Sequence, residues 1–155
     1  MSGSLNHSPA HIIRDLLVAL GLGTDPDDNT SWPIYVSQKP DTPDSMIVVR
    51  DTTSYMHGRT AIDGITQEHY GIAIDIRDAN PKDDWVKSNA LAVALDQTID
   101  KNDVTIEDTD GTGSSTYKVY TVSRVSGPFS HGKETPTSKR NLFTINAKVA
   151  LRQTA

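Results

Sequence analysis

Between residues 143 and 151 every second side chain is apolar. Phe143, Ile145, Ala147, Val149 and Leu151 alternate with Thr144, Asn146 and Lys148 over most of the run. Successive side chains of a strand point to opposite faces, so a period of two specifies a β-strand with one face on a core. A second β-rich run, residues 117–125, precedes it, and the two are separated by the polar stretch 126–140. A hairpin needs only two to five connecting residues, so this stretch predicts an arm. Two committed strands carrying an arm, without a complete catalytic motif, point to assembly rather than chemistry.

The rest of the chain supplies partners for those strands. Ser8-Pro9 predicts a helix start, with an oxygen cap and a proline where its missing N–H costs nothing. Ile12, Ile13, Leu16, Leu17 and Leu20 recur at helical spacing up to Gly21, giving a helix over 9–20. Residues 32–37 and 46–51 read as strands joined by a loop with two prolines, and 52–65 as a polar loop containing Gly58 and Gly64. In 70–77, Tyr70, Ile72, Ile74 and Ile76 share one face, opposite Gly71, Ala73, Asp75 and Arg77. Asn80-Pro81 opens a second helix over 81–100, with Asp83 and Asp84 complementing its dipole and Trp85, Ser88, Leu91, Ala92, Leu95 and Ile99 forming a packing stripe. Residues 104–107 form a short strand. The order α-β-β-β-α-β-β-β predicts an α+β fold, a mixed and mainly antiparallel sheet with two helices packed on it.

At 155 residues the chain is one domain, with residues 1–7 expected as a flexible lead-in and 52–65 and 126–140 as long loops. Only 35% of residues are hydrophobic, and a thin core suits a protein that buries further surface against partners, while long polar loops alone account for it equally well. The net charge of -5 provides no general basic field for gripping nucleic acid, while DNA that merely passes by stays compatible with it. Cysteine is absent, which excludes disulfides and thiolate metal sites. No basic, apolar leader opens the sequence and no apolar run is long enough to span a bilayer, so a soluble protein made in the cytoplasm is expected.

Motifs with chemistry come close and stop short. Gly127 through Lys133 satisfies G-x-x-x-x-G-K after a strand, but Glu134 stands where a magnesium-binding hydroxyl belongs, and Thr135-Pro136-Thr137 does not open the helix such a loop needs. Asp108, Asp110 and Gly113 fit three positions of a calcium loop whose twelfth residue is Val119 instead of a carboxylate. His7, His11, His57, His69 and His131 form no zinc motif, and no G-x-S-x-G elbow accompanies His69 and Asp75. No catalytic residue, cofactor or metal is therefore expected. The candidate contact residues are those of the two long loops: Tyr55, Met56, His57 and Arg59 in the first, and Phe129, His131, Lys133, Lys139 and Arg140 in the second.

The whole layout resembles a known family. A helix ending Leu20-Gly-Leu-Gly23, the strand opening Trp32-Pro-Ile-Tyr-Val36, and Tyr70-Gly-Ile-Ala-Ile-Asp-Ile-Arg77 before a helix containing Ala90-Leu-Ala-Val-Ala-Leu95 come first. The chain closes with Tyr117-Lys-Val-Tyr-Thr-Val-Ser-Arg-Val-Ser-Gly-Pro-Phe129, a polar loop and Arg140-Asn-Leu-Phe-Thr-Ile-Asn-Ala-Lys-Val149. From about residue 8 to 152 this resembles the tail terminator and minor capsid (tail completion) proteins of long-tailed bacteriophages. The resemblance rests on order, lengths and texture. It implies a virion protein that closes into a ring, commonly a hexamer, on the head-proximal end of the tail tube after assembly in the host cytoplasm. Such a ring ends tube polymerisation, joins the head-tail connector protein and lets DNA through its channel without specific binding. A neck or connector protein of the same junction is the alternative. A small ligand-binding or nucleotide-hydrolysing domain is a more distant one.

Overall fold

The computed structural model describes residues 5–26, 32–40, 43–52, 55–59, 66–79, 81–97, 100–107, 113–133 and 140–154. For 55–59, 66–68, 81, 97, 100–102 and 107 it describes the backbone alone. The elements are α1 (Pro9–Ala19), β1 (Ile34–Val36), β2 (Met46–Asp51), β3 (Tyr55–Arg59), β4 (Thr66–Asp78), α2 (Pro81–Gln97), β5 (Asp100–Glu107), β6 (Ser114–Lys133) and β7 (Asn141–Gln153). The sheet runs β1-β2-β4-β7-β6-β5, with β3 paired to β4 off that path. Only the β1–β2 pair is parallel among the named strands, so the architecture is α+β, mixed and mainly antiparallel, with two helices.

Register decides which residues share a face. Ile72, Ile74 and Ile76 of β4 stand opposite Ala147, Ile145 and Phe143 of β7, and Ile74 and Ile76 opposite Val49 and Ile47 of β2. These residues pack with Ile12, Ile13, Leu16 and Leu17 of α1 and Leu91, Ala92 and Leu95 of α2 in one cluster. Both helices therefore cover the same side, and the hydrophobic effect concentrates there. Met46, Val48 and Ala73 point the other way and are buried outside that cluster.

Local chemistry sets the boundaries. Ser8 Oγ accepts from the His11 N–H at 3.2 Å, satisfying one orphan donor at the start of α1. At its end, Leu22 N–H donates to Leu17 O and Gly21 N–H to Val18 O, with Gly21 at φ 76°, a Schellman closure. Strand β1 stops at three residues because Trp32 and Ser37, both at φ 58°, leave the extended region on either side. The segment returning to the parallel β2 is held by Arg77, which donates to the carbonyls of Pro40 at 2.8 Å, Pro43 at 2.7 Å and Asp44 at 3.3 Å.

The structure corrects three sequence expectations. Residues 55–59, expected within a loop, form β3, because pairing with β4 supplies the ladder that the unpatterned sequence does not advertise. The arm expected over 126–140 is strand as far as Lys133, since β6 continues along β7 through four register shifts. The lead-in is anchored at its end. Leu5 packs on the core, Asn6 donates to Gln153 Oε1 and Ser115 Oγ, and His7 Nδ1 lies 2.6 Å from the Tyr117 hydroxyl.

On α2, Ser88, Leu91, Ala92 and Leu95 are buried as the stripe predicts, while Trp85 stays 49% exposed and touches Phe143 at 5.9 Å between ring centroids. Ile99 lies outside the described residues. Asp83 is exposed, but Asp84 is fully buried, and neither of its carboxylate oxygens has a hydrogen-bond partner among the described residues.

Candidate interaction surface

Two hairpins lie toward opposite ends of the sheet. Strand β4 pairs with β7 from Tyr70 to Asp78, and its earlier residues pair with β3 instead. The β6–β7 hairpin closes at Lys133 opposite Asn141, beside Asp78. From Tyr70 to Asp78 the strand covers about 26 Å at ~3.3 Å per residue. One rigid sheet thus holds the two regions that carry the candidate contact residues well apart.

Tyr55, Met56, His57 and Arg59 all lie on β3, where the backbone alone is described. Phe129, His131 and Lys133 lie on the distal part of β6 and are exposed. Phe129 and His131 meet edge to face with ring centroids 5.0 Å apart. Arg140 is set back at the foot of β7, its Nη1 3.7 Å from Asp44 Oδ1. Lys139 lies outside the described residues, as do residues 108–112 of the calcium-like turn. Residues 127–133, which satisfied the phosphate-loop pattern, continue as strand β6.

A line of polar groups fastens the distal β6 across the helix-free face. His131 Nε2 lies 2.7 Å from Thr144 Oγ1, Thr144 Oγ1 donates to Asp75 Oδ1 at 2.7 Å, and Arg50 Nε donates to Asp75 Oδ2 at 2.9 Å. Four strands contribute one residue each. The line has the membership of a hydroxyl–imidazole–carboxylate relay but the wrong polarity. A nucleophilic hydroxyl must donate to the imidazole. Here Thr144 donates to the carboxylate, and its lone pairs are left to accept from His131 N–H. The group therefore works as a clasp. His131 stood out in sequence as a contact candidate, but its grouping with the others did not, since neighbours along the bonded line are 13 to 69 positions apart.

The same hairpin is fitted closely at its base. Gly127 has φ 93°, and a Cβ there would stand 2.4 Å from Thr144 O. Arg124 Nη1 donates to Gly127 O at 3.0 Å, and Nη2 is 2.8 Å from Asp96 Oδ2 on α2.

Exposed apolar side chains fall on two elements in particular. Trp85, Val86 and Val93 stand on the outer side of α2, and Tyr120, Val125 and Phe129 along β6. Beyond residue 121, no strand lies on the other edge of β6 among the described residues. An open edge of this kind is a template for pairing.

Among the described residues no group of three or more His, Cys, Asp or Glu side chains could hold a metal ion, and no helix is long and apolar enough to cross a membrane. No protein-family model matches the chain, and no curated protein matches it.

Proposed function

We propose that this chain is a structural virion subunit that closes into a ring on the end of a long-tailed phage tail tube. The ring ends tube polymerisation and offers its other side to the head-tail connector. One observation supports this reading: a single sheet carries the β3–β4 and β6–β7 hairpins toward opposite ends and leaves exposed apolar side chains on α2 and on β6. Head-to-tail closure needs two unlike patches on each copy, one meeting the other on its neighbour. A ring between tube and head needs a contact at either end. A hexamer is the stoichiometry that the resemblance implies, and the open edge of β6 is the natural place for a neighbouring copy.

The test is removal of the protein during virion assembly. Overlong, headless tubes beside filled heads support termination. Tails of normal length that fail only to join heads support the connector role, and normal virions refute both.

A further inference from the structure

His7 and His11 stand on either side of Ser8, the residue that caps α1. Their imidazoles meet edge to face, with ring centroids 5.3 Å apart and planes at 89°. His7 also lies edge-on to Tyr117 of β6, and its Nδ1 is 2.6 Å from the Tyr117 hydroxyl. Tyr117 is fully buried, and a buried phenol needs a polar partner, so this contact seats the lead-in. Beside it, Asn6 N–H donates to Gln153 Oε1 at 3.0 Å and Asn6 Nδ2 to Ser115 Oγ at 3.1 Å. The start of the chain is thereby fastened to the end of β7 and the start of β6.

The charge state of His11 follows from its neighbours. Arg14 Nη2 is 3.1 Å from His11 Nε2. A guanidinium only donates, so Nε2 accepts with its lone pair, and His11 is neutral with its proton on Nδ1. Arg14 is kept there by Asp15 at 2.8 Å and Asp25 at 3.3 Å. A proton on Nε2 sets one N–H against another and places a second cation beside Arg14. Asp15, 3.9 Å from Nε2, pulls the other way. The nearby acid of β2, Asp51, accepts from Ala10 N–H at 2.9 Å. Burial, with Arg14 and His7, holds His11 below its ordinary value against the pull of Asp15.

We propose that the His7–His11 pair is an acid-sensitive latch. With His11 neutral, the latch keeps the N-terminal lead-in seated on Tyr117 and the end of β7; an imidazolium at His11 releases it. The imidazolium must turn away from Arg14, and turning breaks the edge-to-face contact that presses His7 onto Tyr117. Because the folded value is depressed, the latch contributes fully above the unfolded histidine pKa near ~6.5. That contribution is lost as pH falls through the folded value, in mildly acid solution. The device belongs to the folded subunit and stands independently of the ring reading.

The test is hydrogen exchange of the full chain, followed by NMR at pH ~7.5 and ~5.5, with each amide normalised to its unstructured rate. The N–H groups of Asn6, Ala10 and His11 donate to Gln153, Asp51 and Ser8. Their protection should fall about fivefold at the lower pH, while amides of β4 and β7 keep theirs. His11→Gln offers Arg14 an acceptor that does not titrate, and should abolish the pH dependence. Arg14→Gln removes the competing cation, so it should shrink the dependence and move the His11 ring titration to higher pH. His131→Gln, in the β6–β7 hairpin, should behave as the parent. Equal protection at both pH values, or a loss that persists in His11→Gln, overturns the inference. So does a loss shared equally by β4 and β7, which would be general acid destabilisation. If His11→Gln does not fold, Arg14→Gln decides: an unchanged dependence with an unmoved His11 titration refutes the latch.

Discussion

Replacing Thr144 with valine cuts the clasp at its centre while conserving shape. Thr144 is 2% exposed, and its hydroxyl is the donor to Asp75 Oδ1 and the partner of His131 Nε2. Thr144→Val leaves that carboxylate oxygen buried without its donor, although Arg50 still holds the other oxygen. A hydrogen bond to a charged group contributes about 1.5–3 kcal/mol, and the exposed imidazole can turn to water at little cost. The expected loss is therefore about 2–3 kcal/mol, carried almost wholly by the Thr144–Asp75 bond. For a chain of this size, that lowers Tm by about 4–12 °C in a thermal melt. His131→Ala should cost under about 1 kcal/mol, and adding it to Thr144→Val should cost little more. Hydrogen exchange should quicken first at the distal β6 amides, because those are what the clasp fastens. A Tm within ~2 °C of the parent for Thr144→Val, or an equal loss in both single variants, refutes this apportionment.

Two further substitutions test the reading of the fold. Gly127→Ala forces a side chain into a left-handed backbone 2.4 Å from Thr144 O, so a loss above about 2 kcal/mol is expected, with β6 most affected in exchange; a variant as stable as the parent contradicts the close approach. Burial raises the Asp84 carboxyl above its ordinary value by penalising the charged form. Its contribution to stability is present below the unfolded carboxyl pKa near ~3.9 and is lost as pH rises through the folded one. Asp84→Asn should thus gain about 1–3 kcal/mol at neutral pH, with the gain vanishing near pH ~3 in matched melts. A less stable asparagine variant at neutral pH would mean that the carboxylate is satisfied as an anion.

Alternation made the centre of the sheet legible, because Phe143 to Leu151 and Tyr70 to Ile76 pack one face on helices. Helix starts were equally open, since Ser8-Pro9 carries its own physical signal. What stayed hidden depends on partners distant in sequence. Strand β3 carries no apolar alternation in its sequence, and its ladder comes from β4. Extension of β6 through Gly127-Pro128 requires bulges that only β7 can accommodate. The candidate contacts Phe129 and His131 do meet, yet the clasp behind them joins Asp75 and Arg50 from other strands. The helix-free face was half visible: Thr144, Asn146 and Lys148 already pointed away from the core, but Arg50 and Asp75 joined Thr144 only once register was known.

The most direct measurement is the length of tubes grown from the cognate tail tube protein with and without this chain, scored by electron microscopy. Added at the start of growth, the chain should give short tubes, each closed at one end by a single ring, and further tube protein should not lengthen them. Tubes that keep growing at both ends, with the chain absent from their tips or scattered along their sides, would contradict the account.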